Sequence, residues 1–88
     1  MSDKQTQVDL GLSAKLLLEN AAFQEALRQL DRRFYEEWRK TDPADVSARE
    51  RLFHHSHVQR TLVNCLNEIL GNGQVSAQSL AAAKGKRQ

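Results

Sequence analysis

The chain is predicted to be all-α: an antiparallel two-helix hairpin with a short leading helix and flexible termini, completed by self-association or by a partner. Three observations predict it. Apolar residues recur at helical spacing in two stretches of similar length. Between them lies one joint, residues 38–50, that holds the only proline and the only tryptophan. And 88 residues make one small domain, a size that buries roughly 60% of the surface its unfolded chain exposes and is marginal without a staple or partner.

Residues 1–9 are polar and aperiodic, which predicts a flexible arm. From Leu10 the pattern turns apolar, with Leu12, Leu16, Leu17 and Leu18 and with Ser13 as an available N-cap, so a short helix is expected over about 13–19. Asn20 offers a break, and whether this helix fuses with the next is left open by the sequence. Over residues 21–40, Phe23, Leu27, Leu30, Phe34 and Trp38 form one helical stripe, widened by Ala26 and Tyr35. The opposite face is charged, and Arg32/Glu36, Arg33/Glu37 and Glu36/Lys40 stand four apart, as helical ion pairs do.

At the joint, Pro43 drives Asp42 out of helical conformation and itself suits a first helical position. The second long helix is therefore expected over 43–70 with Asp42 as its cap, Ser47 and Glu50 offering a second capping box and a later start. Its apolar set is Leu52, Phe53, Leu62, Val63, Leu66, Ile69 and Leu70, and Gly71 is the expected left-handed stop. Between Phe53 and Leu62 only Val58 and the stems of Ser56 or Gln59 can continue an apolar seam. Residues 72–88 are expected to form a flexible tail, with Ser76 able to cap one or two helical turns over 76–83. The apolar period is too short-lived to predict an extended coiled coil, and no internal repeat is found.

Composition narrows the function classes. Hydrophobic residues at 40% and charged residues at 27% match ordinary globular usage. A net charge of +2 with the signs interspersed describes a solvated surface, not a nucleic-acid stripe. The first residues lack the basic start and apolar run of a signal peptide, and no segment has the length and apolarity of a membrane span, so a soluble protein is expected. One cysteine, Cys65, cannot form a disulfide within the chain and fits a reducing compartment.

No catalytic residues, metal site or cofactor are predicted. His54, His55 and His57 with Cys65 all belong to one helix, which cannot by itself close a tetrahedral site around a metal. Cys65 on an apolar helical face reads as an inert buried thiol. The aspartates of the joint are explained by capping. The predicted interaction surface is Phe23, Leu27, Leu30, Phe34, Tyr35, Trp38 and Phe53, with Trp38 and Phe53 meeting near the turn: a two-helix hairpin cannot cover all these side chains. Lys84, Lys86 and Arg87 are the residues placed to touch nucleic-acid phosphates.

Taken in order, Leu17-Leu18-Glu19-Asn20, Phe23-Gln24-Glu25-Ala26-Leu27, Tyr35-Glu36-Glu37-Trp38, Thr41-Asp42-Pro43-Ala44-Asp45 and Arg49-Glu50-Arg51-Leu52, followed by Gly71 to Gly73, resemble a family of small helical proteins encoded by tailed bacteriophages near head and packaging genes. The chain departs from the family pattern at His54-His55-Ser56-His57, where a more apolar run is expected. The resemblance covers residues 16–73 and implies a non-enzymatic interaction protein of virion assembly, packaging or host takeover, in the host cytoplasm or the virion. Its expected partners are itself or a larger phage or host protein. The alternative is a small nucleic-acid-associated packaging factor that combines a helical oligomer with the basic tail.

Overall fold

The computed structural model describes residues 3–85 and is helical nearly throughout. Three helices follow in chain order: α1, Lys4–Glu19; α2, Ala21–Lys40; and α3, Val46–Gly85. The 40 residues of α3, at 1.5 Å each, account for about 60 Å of a molecule that measures 68 × 25 × 16 Å. The other two helices lie against it in the opposite direction, α1 beside its second half and α2 beside its first. Contacts between Lys4 and Ser79 and between Gln7 and Ser76 mark one pairing, and contacts between Asp31 and Gln59 and between Phe34 and His55 mark the other.

Helix α1 begins well before the expected residue 13: of residues 1–9, read from sequence as a flexible arm, 4–9 are its first turns, and 1 and 2 lie outside the described residues. The cap is Asp3, whose carboxylate accepts the Thr6 backbone N–H at 2.7 Å. These turns are held by polar contacts: the Lys4 ammonium donates to Ser79 Oγ at 2.6 Å, and the Ser76 hydroxyl donates to Gln7 Oε1. Apolar periodicity carries no trace of such an arrangement. Asn20 separates α1 from α2 by serving both: its N–H donates to Leu17 O at 3.1 Å, and its side chain accepts the Phe23 N–H at 2.9 Å. Gln24 Nε2 reaches back to Leu18 O at 2.9 Å and occupies another open carbonyl at the end of α1.

The expected stop at Gly71 is also corrected. Helix α3 runs through Gly71-Asn72-Gly73 to Gly85, and no glycine among the described residues has positive φ. Residues 72–85 are thus the last turns of a long helix instead of a tail with a short helix at 76–83. Gly73 has a different use from capping. A Cβ built on it would stand 2.8 Å from Gly11 Cα and 2.9 Å from Gln7 O, and one built on Gly11 would stand 2.8 Å from Gly73 Cα. Here α1 and α3 touch backbone to backbone, which only glycine permits. Ala14, at 4% exposure the one buried apolar side chain among the described residues, continues that seam one turn along α1.

The start of α3 is corrected as well, from Pro43 to Val46, and its cap from Asp42 to Asp45. The Asp42 carboxylate is taken by Ala44 N–H at 2.8 Å, and Asp45 N–H donates to Asp42 O at 2.8 Å, so Asp42 to Asp45 form a β-turn with proline at its second position. Asp45 is then free to accept Ala48 N–H at 3.1 Å.

The inward face of α3 keeps one rhythm for most of its length. Leu52, Ser56, Gln59, Val63, Leu66, Leu70 and Gly73 are half-buried or buried, and their spacings alternate between four and three, the period of a coiled-coil seam. Ser56 and Gln59 carry the seam through the polar middle, while Val58 points outward and is exposed. Gln59 Nε2 donates to Asp31 Oδ1 at 3.1 Å, and its Oε1 is buried without a partner among the described residues.

The pairing of α1 with α3 is the close one; α2 meets α3 through few contacts. With α1 and α2 following one another along a single long helix, the molecule is one layer of helices. Domains usually close a core between two layers. Both broad sides of this layer are open, and Leu10, Leu12, Leu16, Leu17, Val58, Leu62, Ile69 and Val75 are exposed on it. Among the described residues, no helix is long and apolar enough to cross a membrane.

Candidate interaction surface

The end of α2 and the start of α3 are tied by a short chain of contacts. Thr41 donates to Trp38 O through its backbone N–H at 3.1 Å and its hydroxyl at 2.6 Å. Arg49, one turn into α3, donates from Nε to Thr41 Oγ1 at 3.3 Å and lays its guanidinium over the Trp38 ring, 4.7 Å from the centroid. That distance is well inside the reach of a cation–π contact. The indole is therefore held by a charge on one side and left open on the other.

Beside it, Phe34, Tyr35, Trp38, Leu52 and Phe53 wall a hollow of about 290 Å³. Asp31, Arg49 and Ser56 add polar atoms to its wall. Tyr35 and Phe53 are more than half exposed, and Arg39 stacks over Tyr35 with its Cζ 5.8 Å from the ring centroid. An apolar floor with an aspartate and an arginine in its wall suits an apolar side chain carried on a polar backbone. Its volume lies at the lower limit of small-molecule pockets, roughly 300–1,000 Å³.

Of the seven residues expected on the interaction surface, the structure brings four together here: Phe34, Tyr35, Trp38 and Phe53. Phe23, Leu27 and Leu30 lie further along α2 and are not among the walls. Trp38 and Phe53 share the hollow, but the Trp38 ring is covered by Arg49 instead of by Phe53, whose ring neighbours are His54 and His57 at 5.8 and 6.4 Å. Arg49 was not singled out from sequence. Its signal is its spacing, three residues before Leu52 on the seam that faces α2.

The three histidines are exposed, and His55 lies beside Phe34 at 6.4 Å between ring centroids. Among the described residues, no three His, Cys, Asp or Glu side chains come together to hold a metal ion. Cys65, expected to be buried, is exposed, because it stands on the outward side of α3 between Leu62 and Ile69. Lys84 is exposed in the last turn of α3, while Lys86 and Arg87 lie outside the described residues.

Charge on the outer face of α2 gathers at Glu25, not at the pairs expected four apart. Its carboxylate accepts from Arg28 Nε at 3.1 Å and from an Arg32 terminal nitrogen at 3.0 Å, with Gln29 Nε2 at 3.5 Å. The hydrogen bond from Arg28 is the main reason its carboxyl is held below the usual range. These groups are solvated and support helicity more than recognition.

No family model, no curated protein and no solved structure matches the chain.

Proposed function

We propose that this protein is a non-enzymatic helical interaction module that presents the aromatic corner between α2 and α3 to a partner protein. The observation that carries this reading is the hollow walled by Tyr35, Trp38 and Phe53: Arg49, hydrogen-bonded to Thr41, lies over the Trp38 ring, and the three aromatic side chains stay open to solvent. Aromatic anchors around an arginine are the composition of binding hot spots. The occupant that fits is an amphipathic segment laying one or two apolar side chains into the groove. The resemblance to small tailed-phage proteins is the ground for proposing virion assembly, packaging or host takeover as the setting, and the host cytoplasm or the virion as the place.

The test is capture from phage-infected cells with the wild-type chain and Trp38→Ala side by side. A partner retained by the first and lost by the second, at a level insensitive to salt, supports the reading. Retention of the same partner by Trp38→Ala overturns it. Binding of duplex DNA that falls steeply with salt and is lost on removing residues 84–88 supports the nucleic-acid alternative in its place.

A further inference from the structure

The area this chain leaves open has the size of a homodimer interface. A compact folded monomer of 10.0 kDa exposes about 5,200 Å², whereas this chain exposes 7129 Å². The excess is about 1,900 Å² per chain, and obligate homodimers cover roughly 2,000–5,000 Å² in total over both partners. Two copies that each cover a little more than half of the excess reach the lower end of that range.

The α1/α3 layer has two broad sides, and they differ in charge. On one, Val8, Leu12 and Lys15 of α1 stand with Leu70, Gln74 and Ala77 of α3. On the other, Gln7 and Leu10 stand with Ile69 and Asn72 around a shared hollow. Seven residues are two helical turns, so Leu17 falls on the Leu10 side of α1 and Leu62 on the Ile69 side of α3. Cys65 lies between those two. Leu10, Leu17, Leu62, Cys65 and Ile69 thus form an apolar face without a charged member, and all five are exposed.

A two-fold interface sets one patch against its own copy. The Lys15 side carries Lys15 with Glu19 one turn on, so both charges would have to be desolvated in the contact, whereas the five residues of the Leu62 side bring no charge. We infer that a second copy of this chain covers the face made by Leu10, Leu17, Leu62, Cys65 and Ile69, stacking two α1/α3 layers into a four-helix core with Asn72 as a polar member that sets the register. The inference rests on the reading of the chain as an interaction module, but it uses the half of the molecule away from the aromatic corner.

The experiment is a mass measurement by sedimentation equilibrium at tens of micromolar, on wild type, Leu62→Glu, Leu12→Glu and Trp38→Ala. Leu62 and Leu12 are each more than half exposed, at 51% and 57%, so both glutamates are tolerated by the single chain. Wild type, Leu12→Glu and Trp38→Ala are expected at twice 10.0 kDa. Leu62→Glu is expected to associate at least about a hundredfold more weakly, because two buried carboxylates then face each other. In wild type the Cys65 thiol is expected to react slowly with a water-soluble disulfide reagent and to speed up on dilution, a reading that needs no substitution. A wild-type monomer with a concentration-independent thiol rate, or a dimer broken by Leu12→Glu and not by Leu62→Glu, overturns the inference. A Trp38→Ala chain that stays dimeric and loses its captured partner supports both proposals, whereas a monomeric Trp38→Ala chain puts the contact between copies at the aromatic corner and overturns this inference alone.

Discussion

Substituting alanine at Gly73 and at Gly71 isolates the close approach of α1 and α3. Both glycines lie inside α3, two residues apart, and both changes relieve the helix-interior penalty of glycine, about 1 kcal/mol. They part company at the Cβ. At Gly71 the new methyl meets nothing within 4 Å; at Gly73 it arrives 2.8 Å from Gly11 Cα and 2.9 Å from Gln7 O. Those are backbone atoms, so no side chain can swing aside. To restore ordinary contact, α1 must back away as a unit by roughly 0.6 Å, from 2.8 Å to the 3.4 Å at which such contact begins. That shift strains the Lys4–Ser79 and Ser76–Gln7 hydrogen bonds on the same seam.

Overpacking of this kind costs about 1–3 kcal/mol. Gly71→Ala should therefore stabilise by roughly 0.5–1 kcal/mol, while Gly73→Ala should be neutral to destabilising by about 2 kcal/mol once the propensity gain is subtracted. The gap between the two variants is the steric cost alone, since propensity and unfolded-chain effects cancel. For a domain of this size each kcal/mol moves Tm by roughly 4–8 °C, so the variants should melt about 4–24 °C apart. Far-UV circular dichroism at matched protein concentration reads this directly. Equal melting temperatures, or Gly71→Ala the less stable, would refute the backbone contact.

Two further predictions concern the caps. Asp45→Ala removes the side chain that accepts Ala48 N–H and should cost about 1 kcal/mol, whereas Asp42→Ala leaves the cap of α3 intact and should cost less. The order is checked by thermal melts, and a larger loss for Asp42→Ala would return the cap to the position expected from sequence. At Asp3, hydrogen bonds from Thr6, the backbone N–H foremost, hold the carboxyl below its ordinary value. Its folded-state pKa is thus below that of the unfolded chain. Its contribution to the start of α1 is complete above the unfolded value and is lost as pH falls through the folded one. Acidification below about pH 4 should therefore fray the first turn of α1. A carboxyl titration of Asp3 by NMR, with a midpoint at or above the ordinary range, would contradict this.

The sequence by itself determined the helical class, the bounds of α2 and the position of the corner, and it offered Asn20 as a break without deciding that α1 ends there. These follow from apolar spacing and from the local chemistry of Asn, Asp and Pro, which act within one or two turns. It could not show which backbone groups those side chains would serve: Asp42 and Asp45 are both good caps, and the geometry of the Pro43 turn decides between them. Nor did it reveal the full length of α1 and α3. The first turns of α1 are held by Lys4 and Gln7, and the seam of α3 passes through Ser56, Gln59 and Gly73, so hydrophobicity does not mark the buried positions. Gly71 and Gly73 look alike in a linear chain, as stops for a helix. Only when α1 lies across α3 does Gly73 become the point where two backbones meet, because close approach depends on an atom that is missing at both Gly73 and Gly11, and the two are more than sixty residues apart.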